Sequence, residues 1–223
     1  MRVAKMNNIE WSFLAIQLIM MVIYPFLFVG GHPNPWVELP LGLSFLFVGL
    51  LTTEANKGSG AAILVLVGVI GLWVGEIYRP DLPFLTVIRL CIFILFLMRA
   101  IFVFARRVFS LPGVTPSNRL IGAISIYLQI MALFGYSYML AGQFDAASVL
   151  CSSAVCGDFR VLPKESGLYL YFSTIVMTSV GFGDFIPGAP VTTMLASLEA
   201  MIGQLYVAIV IARLVSARDE SMR

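Results

Sequence analysis

The hydrophobic positions of the chain fall into six long runs separated by short breaks. A helix crosses the hydrocarbon core of a bilayer with about 20 apolar residues, within a usual range of about 17–25. Most of the runs reach this length, although Pro40 shortens the second run and the third is also short. The breaks are rich in Gly, Pro and Asn, which favour turns. We therefore predict six membrane-spanning helices, over residues 11–29, 36–53, 61–77, 84–104, 120–141 and 190–215.

The composition agrees with a protein that lies in a membrane. Of the 223 residues, 60% are hydrophobic and 12% are charged, whereas soluble domains average about 45–50% apolar and about 25% charged residues. The first run follows basic residues, as in a signal peptide, but no small-residue cleavage site comes after it. We therefore expect this run to remain in the protein as a membrane span.

The positively charged residues predict the orientation of the chain. Six spans would place both ends of the chain on the same side of the membrane. That side collects nine Lys and Arg residues within or beside the loops and span ends, and the other side collects three. The nine are Arg2, Lys5, Lys57, Arg106, Arg107, Arg119, Arg213, Arg218 and Arg223, and the three are Arg79, Arg160 and Lys164. Because Lys and Arg concentrate in cytoplasmic loops, we predict a multi-pass protein of the cell membrane with both termini in the cytoplasm.

A shorter apolar segment lies between the fifth and sixth runs, within residues 142–189. It reads LYLYFSTIVMTS, about 12 residues, which are too few to cross a bilayer. This length predicts a re-entrant helix that enters the membrane from the outside, with Ser166 as a weak N-cap. The stretch TSVGFGDFIPG would then carry the chain back out.

The stretch TSVGFGDF carries the candidate chemistry of the chain. Irregular backbone at membrane depth occurs only where it is buried in protein or lines a watery path. Gly181 and Gly183 alternate with Val180 and Phe182, so the backbone could aim carbonyls inward while the two larger side chains pack outward. Rings of such carbonyls from several chains can replace the hydration shell of a cation. An ordinary tight turn is the alternative, which the surrounding apolar segments disfavour.

The segment YFSTIVMTSVGFGDFIPG resembles the pore helix and selectivity filter of the potassium-channel superfamily. The usual filter of that family is Thr-Val-Gly-Tyr-Gly-Asp, so Ser179 replaces the threonine and Phe182 replaces the tyrosine. A Ser-Val-Gly-Phe-Gly filter also occurs in the ether-à-go-go-related branch. With the flanking runs, the resemblance covers about residues 119–218. It is to bacterial-type six-span channels with a single pore loop.

The resemblance implies an all-α membrane fold with six transmembrane helices, a re-entrant pore helix and an extended filter, in a homotetramer around one pore. It also implies that K⁺ is the permeant ion, held by backbone oxygens without any cofactor. The ion-binding positions are then Ser179, Val180, Gly181, Phe182 and Gly183, with the Ser179 hydroxyl at the innermost site. The supporting positions are Tyr171, Phe172, Thr178 and Asp184. Because Phe182 lacks the tyrosine hydroxyl, we expect a less firmly braced filter.

Three further features of the pore region each have more than one interpretation. Gly203 follows Gly183 at the distance of the inner-helix hinge in many family members, and close helix packing is the alternative. Glu199 is an acid within a span, where acids are costly. It either faces the cavity and attracts cations, or hydrogen-bonds to the back of the pore helix. Cys151 and Cys156 either form a disulfide in the oxidising outer loop, remain free thiols, or bridge two subunits.

The first four runs resemble the layout of a voltage sensor without its charges. We divide the chain into a four-span domain of residues 1–110, a linker of residues 111–118 and a pore domain of residues 119–223. A voltage sensor places Arg or Lys at every third position over several turns, paired with acids in neighbouring spans. Arg89 and Arg99 do not keep that register, and spans one to three have no acid near mid-membrane. We therefore predict weak or absent voltage gating.

These patterns together predict a passive, potassium-selective channel subunit. The alternatives are a poorly selective cation channel of the same fold and a non-conducting membrane scaffold. A Trk/Ktr-type transporter subunit needs four filter-like loops, and this chain has one. No nucleophile–base pair or phosphate-binding loop is present, so we do not expect an enzyme. The expected partners are further copies of the chain and membrane lipid, without nucleic acid. Gating would be intrinsic or supplied by a separate cytoplasmic regulatory subunit, unless the sequence has been cut short.

Overall fold

The computed structural model describes residues 82–110, 116–151, 160–161 and 166–221, together with some helical positions nearer the N-terminus. Those helical positions are 14–15, 17–18, 67–68, 70–72, 74–75 and 78. Most of the first three predicted spans therefore lies outside the described residues. The continuous described segments belong to the fourth span and the region that follows it.

Four helices make up most of the described residues. They are α1 (Pro83–Ser110), α2 (Pro116–Phe144), α3 (Ser166–Met177) and α4 (Pro190–Ser221). Three of them contain segments long and apolar enough to cross a membrane: Phe84–Arg106, Ser117–Phe144 and Pro190–Arg213. These segments coincide with the fourth, fifth and sixth predicted spans, which are confirmed as helices of spanning length. Helix α3 has 12 residues and lies where the sequence predicts a short helix.

Proline marks the start of three of these helices. Pro83, Pro116 and Pro190 each occupy the first helical position. There the missing N–H costs no hydrogen bond, and the ring presets a helical φ. Helix α2 therefore begins inside the predicted linker of residues 111–118, before the boundary expected at Arg119.

Helix α2 is the centre of the packing, with α1, α3 and α4 around it. Phe93 of α1 meets Tyr136 of α2 with ring centroids 4.5 Å apart, and Tyr138 of α2 meets Phe172 of α3 at 4.9 Å. At Gly135 of α2, an added Cβ would come within 2.7 Å of a leucine side chain of α3. The missing side chain thus lets the two helices approach closely. Aromatic contacts and this close approach hold the short helix against the span before it.

A small antiparallel sheet accompanies the helices and is not part of the all-α prediction. Its strands are β1 (Val149–Cys151), β2 (Arg160–Val161) and β3 (Phe185–Pro187), with β1 in the middle. Strands β1 and β3 pair in the register Val149↔Pro187, Leu150↔Ile186 and Cys151↔Phe185. Because β3 comes directly after TSVGFGD, the sheet ties the end of that stretch to the segment after α2. The fold is therefore mainly helical, with one sheet that the sequence analysis missed.

Candidate functional site

Residues 178–184, hereafter the glycine stretch, connect α3 to β3 without helix or strand structure. Positive φ recurs at every second residue, with 56° at Ser179, 55° at Gly181 and 76° at Gly183. Glycine adopts such values freely, whereas the left-handed region costs an L-residue such as Ser179 about 1–2 kcal/mol. Alternation of left- and right-handed backbone puts successive N–H groups on one side of a chain. Successive carbonyls are then left on the other side.

The N–H groups at the start of the glycine stretch bond to the last turn of α3. The Ser179 N–H donates to the Val176 carbonyl oxygen at an N···O distance of 2.9 Å, and the Val180 N–H donates to the Ile175 oxygen at 3.0 Å. The Gly181 N–H shares the Ile175 oxygen at 3.3 Å. These bonds satisfy carbonyls that a helix C-terminus leaves without partners. Because these N–H groups turn toward α3, the carbonyls of the same peptide units face away from it.

The larger side chains of the glycine stretch are not covered by the described part of the chain. Val180 is 51% exposed and Phe182 is 70% exposed. The described residues of a single chain do not cover them, and the expectation that these side chains pack outward stays a prediction. Covering them requires other protein residues or another molecule.

The far end of the glycine stretch is held by Tyr171 of α3. The Tyr171 hydroxyl donates to Asp184 Oδ2 at 2.6 Å, and the Phe185 N–H donates to Asp184 Oδ1 at 3.0 Å. The rings of Tyr171 and Phe185 also meet edge to face, with centroids 5.6 Å apart. A hydrogen bond to a carboxylate is charge-assisted and stronger than a neutral one. This contact braces the stretch although Phe182 has no hydroxyl to contribute.

Two other predicted supports contact helices rather than the glycine stretch. Phe172 is buried and packs edge-on against a tyrosine of α2. The Thr178 hydroxyl donates to the Thr174 carbonyl oxygen at 2.6 Å, which adds a bond to the last turn of α3. The structure thus brings Tyr171 together with Asp184, while Phe172 and Thr178 stabilise the helix that precedes the stretch.

Glu199 of α4 is fully buried and joins three helices. The Tyr138 hydroxyl of α2 donates to Glu199 Oε2 at 2.6 Å, and the Ser173 hydroxyl of α3 bonds to Glu199 Oε1. The Ser173 Oγ also lies 2.7 Å from the Met131 carbonyl oxygen of α2. Of the two roles expected from the sequence, this arrangement corresponds to a hydrogen bond at the back of the short helix, and not to an acid in a cavity.

A neutral carboxyl at Glu199 would allow Ser173 to bond to both of its oxygen neighbours. The Ser173 hydroxyl has one proton for two oxygen neighbours. If it donates that proton to Met131, its contact with Glu199 is a hydrogen bond only when the carboxyl carries a proton. A neutral carboxyl also avoids a charge at membrane depth, which is costly. A glutamine at position 199 could therefore make the same set of bonds.

Gly203 of α4 lies against the end of α3. It is buried, and an added Cβ would overlap the Met177 carbonyl oxygen. The Tyr127 hydroxyl of α2 donates to the same Met177 oxygen at 3.3 Å. Helix α4 continues as one helix through this position. Of the two expected roles, hinge and close packing, the contact explains the packing role, and the hinge stays a prediction.

A disulfide is attached to the strand beside the glycine stretch. Cys151 of β1 is buried and disulfide-bonded, whereas Cys91 of α1 is free. Cys156 lies outside the described residues, so a bridge within the chain and a bridge between two subunits both remain open for Cys151. Because Cys151 pairs with Phe185 in the sheet, the disulfide is one strand away from the residue that follows Asp184.

Sequence reasoning missed three polar residues of this region. Ser173 and Tyr138 hold Glu199, and the Gln204 amide donates to Ser179 Oγ at 2.9 Å. Their positions in the sequence could have indicated them, because each of the three is a polar side chain inside an apolar segment, where polar groups need hydrogen-bond partners. Which partner each one finds depends on how the helices pack.

A comparison with protein families finds a match to a family model described as an ion channel, over residues 146–218. The matched segment contains β1, α3, the glycine stretch and most of α4. Comparisons with curated proteins and with solved structures gave no match. The match covers about a third of the chain and shows that this segment is similar to ion channels. The three apolar helices are long enough to cross a membrane, which agrees with a membrane protein.

Proposed function

We propose that four copies of the chain form a potassium-selective channel and that the glycine stretch is its selectivity filter. The observation that carries the proposal is the alternation of positive φ at Ser179, Gly181 and Gly183 in a segment whose N–H groups bond to α3. Such a backbone can present consecutive carbonyl oxygens to one ion path. The family match over residues 146–218 includes the stretch and supports the same function.

In this proposal, K⁺ enters the path by exchanging water for protein oxygens. Carbonyls of the residues from Ser179 to Gly183, repeated in four chains, supply rings of dipoles that replace the hydration shell. The Ser179 hydroxyl adds an oxygen at the end nearest α3. The stretch follows the C-terminal end of α3, whose partial negative charge favours a cation. Because neighbouring sites let one ion displace the next, conduction is passive and follows the electrochemical gradient.

Further copies of the chain are the proposed cover for α4 and the glycine stretch. Within the single chain, 11% of the α4 span is buried, compared with 61% of the α2 span. Lipid could cover an apolar helix, but it does not accept irregular backbone with exposed peptide groups. Val180 and Phe182 stand beside such a backbone and are themselves exposed. Protein from neighbouring copies, with a watery path between them, meets both requirements and supports a homotetramer.

The arginines of α1 support weak or absent voltage gating. Arg89 is buried, whereas Arg99 lies on an exposed face of the helix. The Arg106 guanidinium lies 4.3 Å from the centre of the Phe102 ring, which is a cation–π contact near the end of α1. A voltage sensor moves several charges together across the membrane potential. Since Arg89 does not share a face with the other two, these residues do not form one ladder.

Flux from proteoliposomes tests the proposed function. Purified protein is reconstituted into liposomes that contain K⁺ and are diluted into Na⁺ solution. We expect K⁺ to leave faster than Na⁺ enters, so that a potential-sensitive dye reports a negative interior, while protein-free liposomes give no signal. Absence of flux would favour the non-conducting scaffold, and flux without a potential would favour a poorly selective channel. Either result contradicts the proposal.

A further inference from the structure

Gln204 of α4 reaches the end of the glycine stretch nearest to α3. Its Nε2 donates to Ser179 Oγ at 2.9 Å, and both residues are exposed in the single chain. The preceding residue, Gly203, lies directly on the Met177 carbonyl oxygen. The backbone of α4 is thus held close to the end of α3 at the residue before Gln204. The contact is therefore set by helix packing and not by the chance meeting of two mobile side chains.

We propose that Gln204 is a positioning residue for the ion site at this end of the stretch, an inference that rests on the proposed potassium channel. A hydroxyl oxygen has two lone pairs and one proton. The Gln204 amide occupies one lone pair and holds the Ser179 side chain in one orientation, while the other lone pair stays available to an ion. Without the amide, the Ser179 side chain can turn among its staggered rotamers. Its oxygen then faces the ion for part of the time.

The serine at position 179 makes this restraint necessary. Threonine carries a second heavy atom on Cβ that restricts χ1, and serine lacks it. In this chain, the amide on α4 supplies the restraint that β-branching would supply in a threonine. The inference therefore predicts that Ser179→Thr makes the site less dependent on Gln204, and that Ser179→Ala removes the dependence altogether.

Barium is the probe for this site. Ba²⁺ is close to K⁺ in size and carries twice the charge, so its binding depends more steeply on how many oxygens face it. Block of K⁺ current by Ba²⁺, added on the side of the α4 C-terminus in planar bilayers, reports the affinity of the site. Gln204→Leu removes the amide, and Gln204→Asn keeps an amide that is one carbon too short to reach Ser179.

We expect both Gln204 variants to weaken Ba²⁺ block about tenfold while K⁺ current persists. Met201→Leu is the matched control, because Met201 is exposed one turn earlier on α4, and it should leave the block unchanged. Adding Ser179→Thr to Gln204→Leu should restore the block to within about threefold of the parent. In a Ser179→Ala background, Gln204→Leu should change the block less than twofold, because the hydroxyl that it positions is gone.

Two results overturn the inference while the parent conducts K⁺. One is block by Ba²⁺ within twofold of the parent in both Gln204 variants. The other is a tenfold weakening of Ba²⁺ block by Gln204→Leu in the Ser179→Ala background, since Gln204 would then act without the Ser179 hydroxyl. If the parent passes no K⁺ current, the proposed function fails and the inference fails with it. For any variant that carries no current, Ba²⁺ binding is measured instead from the rise in the melting temperature of the tetramer. The apparent Kd for Ba²⁺ obtained in this way is compared with that of the parent, and the same fold-changes are expected.

Discussion

Replacing Gly181 or Gly183 with alanine is expected to reduce K⁺ flux from liposomes at least about 100-fold. Both residues have positive φ, and an L-residue in the left-handed region costs about 1–2 kcal/mol. Four chains repeat that cost, about 4–8 kcal/mol in all, unless the backbone turns and redirects its carbonyls. The strain destabilises the glycine stretch in the first case, and the oxygen rings are lost in the second, so both responses reduce conduction. Because an added Cβ at each position would meet nothing within 4 Å in the single chain, the effect arises from the backbone and not from a clash there.

Gly71→Ala is the matched control for these two variants. Gly71 lies in a helix, its added Cβ would also meet nothing within 4 Å, and it has no positive φ. We expect this variant to conduct like the parent, since alanine is favourable in a helix. Parent-like K⁺ flux from both Gly181→Ala and Gly183→Ala, at equal protein content, would mean that the glycine stretch is not the ion path.

Replacing Glu199 with alanine should strongly destabilise the channel. The change leaves the buried Tyr138 hydroxyl without its acceptor and leaves Ser173 with only the Met131 carbonyl oxygen, and a buried unsatisfied group costs about 1–3 kcal/mol. For a chain of this length, about 3 kcal/mol lowers a melting temperature by roughly 6–12 °C. The melting temperature of the detergent-solubilised protein measures this effect. Glu199→Gln should stay within about 2 °C of the parent, because a glutamine can accept from Tyr138 and donate to Ser173.

Ser197→Ala serves as the control for position 199. Ser197 is exposed on α4 and its hydroxyl bonds only locally, to the Thr193 carbonyl oxygen at 2.9 Å, among the contacts that the structure describes. Its removal should leave the melting temperature almost unchanged. A parent-like melting temperature for Glu199→Ala would show that the three-helix contact contributes little. Equal losses for Glu199→Gln and Glu199→Ala would show instead that Glu199 is needed as a charged group.

Features that depend on local pattern were predictable from the sequence. Long apolar runs predict the helices that span residues 84–106, 117–144 and 190–213, because their length and composition suffice. The short run before TSVGFGDF predicts α3 for the same reason. The alternating glycines predict an unusual backbone, and positive φ at Gly181 and Gly183 agrees with that expectation.

Features that depend on distant partners were not predictable in the same way. Strands β1, β2 and β3 have two or three residues each, too few to show a periodic pattern, and β1 pairs with a strand more than thirty residues away. Glu199 had two roles open from the sequence, since its partners Tyr138 and Ser173 belong to other helices. The role of Gln204 was not predictable because its contact with Ser179 exists only once α4 packs against the end of α3.

Selectivity for K⁺ over Na⁺ is the central claim, and the reversal potential of the parent protein in planar bilayers tests it most directly. The two chambers hold K⁺ in a tenfold gradient, with Na⁺ added to the dilute side to equalise the total salt. We expect the current to reverse close to the K⁺ equilibrium potential, about 59 mV in magnitude for a tenfold gradient of a monovalent ion. A reversal potential near 0 mV would mean that Na⁺ passes about as easily as K⁺, and it would contradict the assignment of the glycine stretch as a potassium filter.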